Sequence, residues 1–379
     1  MYIDRKITAL LSKVKKSILI LGPRQTGKST LIKTLAPELS INLADESLFV
    51  SYLSDPGLIK KTAKSYRKIF IDEVQRIPSI LNTVQSMLDE DPSRQFFLTG
   101  SSARKLKRGQ ANLLPGRLLV YELGPFSFSE IKKQWEVEKA LKVGLLPGIY
   151  LEPSLSTAEK TLKSYATTYL KEEIQAEALT RNLEGFSRFF QVIVSQSGNL
   201  IDFSKISSLA SIERTSARRY YDILIDTLIV SELSPFTRSQ KRRLIQHPRF
   251  YFFDVGVLNG ALDNFSVSGD RIGSLFEHLI LQLILSGAKA HDDTVRMSNY
   301  RTNAGVEVDF ILERKNELFA IEVKASKKIT SSDLRGLKSF IDFYGKKCRP
   351  LVIYLGEHAL SMDGIDILPT PEAMKLLGY

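Results

Sequence analysis

Along the first third of the chain, short continuous apolar runs alternate with amphipathic stretches. Ile18-Leu19-Ile20-Leu21, between Ser17 and Gly22, is apolar at every position and rich in Ile. That is the pattern of a short parallel strand buried on both faces. Similar runs recur at Ile41-Leu43, Ile69-Ile71, Phe96-Leu98 and Leu118-Tyr121, with helical spacing between them in Thr30-Leu35 and Ile80-Asp89. Strands alternating with helices predict right-handed crossovers and an α/β core built on a parallel sheet. After Gly124-Pro125 the pattern turns mostly helical as far as Ser197-Gly198. A short helical pair with a strand-rich tail follows to about Asn259, and the remainder is mixed α/β. The expected modules are residues 1–125, 126–198, 199–260 and 261–379. No internal repeat or low-complexity segment interrupts them.

Composition narrows the classes. Of 379 residues, 43% are hydrophobic and 25% charged, which excludes a wholly disordered chain. Fifty-three Lys and Arg against 42 Asp and Glu leave a net charge of +11, which favours an anionic partner. The single cysteine, Cys348, excludes an intramolecular disulfide and a Cys-rich zinc site and suits a reducing compartment. The four His lack zinc-type spacing. No apolar stretch approaches the ~20 residues that span a bilayer, so no membrane partner is expected. Arg5, Lys6, Lys13, Lys15 and Lys16 precede the first apolar run. That run is too short for a secretion-signal core and feeds into a glycine loop, so a cytoplasmic location is expected.

The loop carries the first chemistry. Gly22-Pro23-Arg24-Gln25-Thr26-Gly27-Lys28-Ser29 fits G-x-x-x-x-G-K-[ST] between a strand and a helix that continues through Thr30. Its glycines let backbone N–H groups point at phosphate, and the helix start adds a positive dipole end. Lys28 would reach the β- and γ-phosphates of ATP, and the Ser29 hydroxyl would ligate Mg²⁺. Lys68-Ile69-Phe70-Ile71-Asp72-Glu73 is an apolar strand ending in two carboxylates. Asp72 would hold Mg²⁺ through water, and Glu73 would orient or deprotonate the attacking water. Phe96-Phe97-Leu98-Thr99-Gly100-Ser101-Ser102 ends in hydroxyls that would sit near the γ-phosphate, with Thr99 or Ser101 reporting hydrolysis. Small polar residues also end strands for turn reasons, so both readings stay open.

With these motifs, and with Leu114-Pro115-Gly116-Arg117 leading into Leu123-Gly124-Pro125-Phe126-Ser127, the chain resembles the AAA+ ATPases. The resemblance is closest to a prokaryotic subgroup with an uncharacterised C-terminal domain, and it covers nearly the whole chain. It implies a P-loop core with a helical lid and a ring or other homo-oligomer. It also implies an arginine that completes the γ-phosphate site, commonly from a neighbouring subunit. Arg117 is the first candidate and Arg104 the second; the other reading of either is a surface arginine.

Further along, Ser204-Lys205-Ile206-Ser207-Ser208-Leu209-Ala210 reads as a short helix and Ser211-Ile212-Glu213 as a turn. Arg214 to Leu228 reads as a second helix with Tyr221, Leu224 and Leu228 on one stripe. Arg214, Arg218 and Arg219 lie toward its start, where a recognition helix meets DNA. Thr237-Arg238-Ser239-Gln240-Lys241-Arg242-Arg243 would form a wing tip between strands Val230-Glu232 and Phe250-Phe253. This winged helix-turn-helix has two open readings, phosphate clamping of DNA and protein docking.

In the last module, Glu307 and Asp309 share one face of Gly305-Val306-Glu307-Val308-Asp309-Phe310-Ile311-Leu312. Glu322 and Lys324 share a face of Phe319-Ala320-Ile321-Glu322-Val323-Lys324. A hairpin turning at Lys315-Asn316 would set Asp309 opposite Glu322, and Glu307 opposite and paired with Lys324. Glu277, on the apolar helix that opens at Gly273, would lie alongside. Asp…Glu-x-Lys on a hairpin with a helical Glu before it resembles the PD-(D/E)xK nuclease superfamily, with Val308 where that family usually has Pro. Tyr300-Arg301-Thr302 also fits the ATPase subgroup. The resemblance implies a restriction-endonuclease-like domain in which Glu277, Asp309 and Glu322 hold Mg²⁺ or Mn²⁺ beside Lys324. The other reading is a remnant neutralised by Lys324 and a nearby arginine. Together these features predict an ATPase coupled to handling of DNA, with branched or forked DNA one form of it. A nucleotide-switched protein that recruits partners, or a regulatory module of a toxin-like or defence system, is the alternative.

Overall fold

The computed structural model describes residues 2–101, 116–169, 183–236, 247–345 and 347–379, in two compact units. The first takes in Met1–Gly124 and Asp226–Ile229. Its five strands are β1 (Ser17–Leu21), β2 (Leu39–Asn42), β3 (Lys68–Asp72), β4 (Gln95–Gly100) and β5 (Leu118–Glu122). They form a parallel sheet in the order β2-β3-β4-β1-β5. Each lies on or beside an apolar run seen in the sequence, and every residue of β1 is buried. Leu19 and Leu21 enter one core with Ile69, Ile71, Val84 and Leu98. Ile18 and Ile20 enter the other with Leu31, Ile32, Phe70 and Phe97. Burying such a side chain stabilises by about 1.5–3 kcal/mol, which explains why the run admits no polar residue.

The strand order decides where chemistry can occur. From β1 the chain crosses to the far edge and works back until β4 lies beside β1, and β5 then adds on the other flank. In such sheets ligands bind outside the carboxyl ends of the strands, where the order reverses. Leu21 pairs with Gly100 and Ile71 with Leu98, so the ends of β1, β3 and β4 meet at one edge.

The second unit takes in Pro125–Ile225 and Val230–Tyr379. Its first part is helical: Phe128–Ile131, Val137–Val143, Pro147–Tyr150, Leu155–Ser164 and Leu183–Ser195. The helices Phe203–Leu209 and Arg214–Asp226 follow, separated by a turn in which Ser211 has φ 51°. Tyr221 and Leu224 are buried as the stripe predicts, whereas Leu228 lies beyond the helix end.

Eight strands then form one mixed sheet. They are β6 (Val230–Pro235), β7 (Arg249–Phe252), β8 (Val295–Arg301), β9 (Glu307–Arg314), β10 (Glu317–Lys324), β11 (Cys348–Tyr354), β12 (Leu360–Met362) and β13 (Ile365–Pro369). Their order is β12-β13-β11-β10-β9-β8-β6-β7. The strands expected to flank a wing thus form the edge of the C-terminal sheet. Val230 to Leu233 pairs antiparallel with β7, and Ser234-Pro235 then pairs parallel with β8. Helices cover both faces of this sheet. Phe310 meets Tyr251, whose ring contacts His278 of the helix Ile272–Ala290. Its neighbour Ile311 points the other way, into a cluster with Leu337 and Phe340 of the helix Arg335–Tyr344. Among the described residues no helix is long and apolar enough to cross a membrane.

Candidate functional site

The loop after β1 is built for close backbone approach. A Cβ on Gly22 would stand 2.2 Å from the Leu123 carbonyl oxygen, so no larger residue fits there. Gln25 and Gly27 take φ values of 61° and 89°, the left-handed region that glycine enters without strain. Thr26 is fully buried and its hydroxyl donates to the Pro23 carbonyl at 2.8 Å. Lys28, only 5% exposed, folds its ammonium back over the loop and donates to the Gly22 and Pro23 carbonyls at 2.8 and 2.9 Å. Ser29 is half-buried at the start of the helix Lys28–Lys33, and Arg24, Gln25 and Thr30 are exposed or half-buried around it. A buried ammonium resting on loop carbonyls is chemically suited to a phosphate oxyanion, which is the stronger acceptor.

The acidic pair stands on the next strands. Asp72 ends β3 and accepts a hydrogen bond from the Thr99 hydroxyl on β4. Glu73 leaves the strand at φ 59°, and its N–H donates to the same hydroxyl at 3.3 Å. Thr99 itself pairs with Ile20 of β1, so one strand separates the acids from the phosphate loop. Both hydroxyls expected to report hydrolysis are engaged: Thr99 with Asp72, and Ser101 with Gln75 at 2.8 Å.

Arg117 lies elsewhere. It precedes Leu118, the partner of Ser17, at the opposite end of β1 from the phosphate loop, and it pairs with Asp89. It therefore cannot complete the site of its own chain. Arg104 and Leu114-Pro115 lie outside the described residues, as do Arg238, Lys241, Arg242 and Arg243. Arg214, Arg218 and Arg219 are exposed on their helix; the Arg218 guanidinium lies 5.3 Å from the centre of the Phe203 ring and that of Arg219 5.4 Å from Tyr220.

Two residues near the Gly22–Ser29 loop and the acidic pair carry no clear sequence signal. Arg5, which reads only as basic charge, is 6% exposed and donates to the carbonyls of Thr26 at 2.6 Å and Gly124 at 3.0 Å. Nothing in the local pattern separates it from exposed Lys6. Gln75, 3% exposed, donates to the Glu73 carboxylate. Its signal is weak but present: an amide two residues after a catalytic-type acid, between Val74 and Arg76.

The C-terminal cluster is built differently from the expected one. The hairpin forms with Ile321 opposite Phe310, and beyond that pair the Asp309 carboxylate accepts from the Val323 N–H at 2.8 Å. Lys324 pairs with Glu322 at 2.7 Å, not with Glu307 as expected, because the two share a face of one strand. Glu307 takes Arg249 at 2.9 Å and Arg301 at 3.6 Å. Arg249 also reaches Glu277 at 3.4 Å, and the Tyr251 hydroxyl donates to Glu277. Arg249 and Tyr251 come from β7, which the sequence pattern assigns to another module. Among the described residues no group of three or more His, Cys, Asp or Glu is arranged to hold a metal ion.

Burial, then the Asp309 charge, pushes Glu322 up to about 8 and Glu277 up to about 7. Burial raises Asp309 as well. An unfolded glutamate titrates near ~4.3. Between about pH 4.5 and 8 the folded chain therefore holds protons that the unfolded chain has released, and stability falls as pH rises through that window. Glu322→Gln should flatten the decline, gaining about 1–3 kcal/mol at roughly pH 8.5 and little at about pH 5. Amide exchange of Phe310 and Ile321 measures it. An unchanged or steeper pH dependence in the variant would sink the assignment.

Comparison with known proteins agrees with the first unit. Residues 14–132 match the family described as an AAA domain. Residues 134–268 and 272–373 match two domains of unknown function, DUF8612 and DUF4143. The first unit is thus of the P-loop ATPase type. An uncharacterized protein of Mycobacterium tuberculosis is 25% identical over 94% of this chain and 80% of its own length. One from Methanocaldococcus jannaschii is 25% identical over 83% of this chain and 75% of its own. Among solved structures, a signal-transduction ATPase with numerous domains from Pyrococcus horikoshii aligns at 13% identity and TM-score 0.26, over 76% of this chain and 47% of that one. AMPPCP-bound DnaA from Aquifex aeolicus aligns at 13% identity and TM-score 0.26, over 58% of this chain and 85% of that one.

Proposed function

We propose that this chain hydrolyses Mg-ATP in its first unit and couples the cycle to handling of DNA by its second. The observation that carries the reading is one sheet edge bearing the Gly22–Ser29 loop, the Asp72-Glu73 pair and the Thr99 hydroxyl on three adjacent strands. Lys28 would leave the Gly22 and Pro23 carbonyls for the β- and γ-phosphates. Ser29 and Asp72 would hold Mg²⁺, which neutralises charge on those phosphates. Glu73 would orient the attacking water and accept its proton. Arg117, remote from its own loop, would serve a second copy of the chain in a homo-oligomer. Arg214, Arg218 and Arg219, with Arg238, Lys241, Arg242 and Arg243, would bind DNA phosphates.

For the C-terminal sheet a second reading has its own support. Cations already face Glu277, Glu307 and Glu322, which favours a partner-recruiting domain over a metal-dependent nuclease. Mg²⁺ or Mn²⁺ at Glu277, Asp309 and Glu322 would require Arg249 and Lys324 to give way.

The test is ATP turnover of the full chain with and without single-stranded, duplex and branched DNA. Replacing Arg214, Arg218 and Arg219 together by Glu should weaken duplex binding about equally across sequences. It should also reduce the salt slope by about 0.9 for every phosphate no longer neutralised. Unchanged affinity and slope would assign the helix pair to protein docking.

A further inference from the structure

We infer that Gln75 is a positioning residue that holds the Glu73 carboxylate in register with Ser101 at the end of β4, an assignment that rests on the ATPase reading above. Gln75 sits on the short turn Val74–Arg76 that directly follows Glu73. The left-handed backbone at Glu73 reverses the chain there, so a side chain two residues on returns over the acid. Its amide nitrogen donates both to the Glu73 carboxylate and, at 2.8 Å, to the Ser101 hydroxyl. Its Oε1 is buried with no hydrogen-bond partner among the described residues.

That asymmetry is informative. A primary amide offers two N–H donors and one carbonyl acceptor. Turning the group over would leave the Ser101 hydroxyl able to donate to the carbonyl, but it would press that carbonyl against the Glu73 carboxylate and lose the bond to it. The observed orientation is fixed by the donors, and both donors are used on one target pair. A buried acceptor left unpaired is unfavourable, so an apolar side chain of similar volume would serve packing better. The amide is therefore explained by what its nitrogen holds.

The network also closes. Thr99 holds Asp72 and the Glu73 N–H, while Ser101 holds Gln75 and through it the Glu73 side chain. Both acids are thus referenced to the end of β4, one through Thr99 and the other through Ser101 just beyond it, and β4 pairs with β1 just before the phosphate loop. A carboxylate placed by fixed partners keeps the geometry that water activation demands, whereas a free one samples several rotamers.

Steady-state turnover and ATP binding of the full chain test this. Gln75→Met keeps volume and removes both donors; it should lower kcat roughly ten-fold or more while leaving ATP affinity within about two-fold. Ser101→Ala should show the same split with a smaller loss. In a Glu73→Gln background, Gln75→Met should cause no further loss, because the residue acts through the carboxylate. A packing role would instead lower affinity in parallel, or multiply with the Glu73 loss, and either result overturns the assignment. So does a kcat within about two-fold of the parent. Absence of turnover in the unsubstituted chain would overturn the ATPase reading and this assignment together. Turnover that is intact and indifferent to Gln75 overturns this one alone.

Discussion

Lys28→Ala should reduce affinity for Mg-ATP by roughly a hundred-fold or more. The ammonium is nearly buried and sits over the loop that would wrap the phosphates. A charge-assisted hydrogen bond to an anion contributes about 1.5–3 kcal/mol, and Lys28 would make more than one. Losing about 3 kcal/mol corresponds to roughly a hundred-fold in Kd. The substitution also removes the ties to the Gly22 and Pro23 carbonyls, so the loop loses an internal brace. Lys28→Met loses the same ties but preserves the packing of the aliphatic stem, so it should retain the fold and still fail to bind. Lys28→Arg should not rescue, since a planar guanidinium cannot replace a compact ammonium in so enclosed a position. Titration calorimetry with a non-hydrolysable ATP analogue measures all three. Affinity within about three-fold of the parent in Lys28→Met would remove the lysine from the phosphate site.

The sheet edge bearing the Gly22–Ser29 loop was legible because its signals are local. Burial on both faces of a parallel strand demands a continuous apolar run, and the loop that follows demands glycine at fixed offsets. β1, β3, β4 and the acids at the end of β3 could therefore be placed from spacing alone. The β9–β10 hairpin was legible for a similar reason, with its turn at Lys315, where φ is 53°. Pairings between distant segments were not. β6 and β7 look like any two short strands, and nothing local shows that Ser234-Pro235 will pair with β8, far along the chain. Arg249 and Tyr251 were hidden as partners of Glu277 by the same route. Burial of charge is equally hidden. Arg5 and Lys6 are adjacent cations, yet one reaches carbonyls at Thr26 and Gly124 and the other is exposed. The place of Arg117 was legible in principle, because a residue that precedes a strand of a parallel sheet lies at the amino ends, opposite the loop that follows β1.

Glu73→Gln should retain ATP binding and lose roughly a hundred-fold or more in turnover. Ground-state and transition-state effects part company at this residue. Glu73 would act on the attacking water and make no contact with the bound phosphates, so neutralising it leaves affinity intact. General-base catalysis by a positioned carboxylate contributes typically about 10²–10⁴-fold, and an amide cannot accept the proton. Glutamine is the informative replacement because the surrounding bonds survive it. Its carbonyl oxygen can still accept from Gln75, and its backbone N–H still meets Thr99. Glu73→Ala would release Gln75 as well and confound the two effects. The Glu73→Gln chain should therefore accumulate as an ATP-bound species. Single-turnover kinetics would then show unhydrolysed nucleotide where the parent shows ADP. Turnover within about five-fold of the parent, at unchanged affinity, would mean that another group activates the water. The sheet edge would then bind ATP by Lys28 and Asp72 without Glu73 taking part in its hydrolysis.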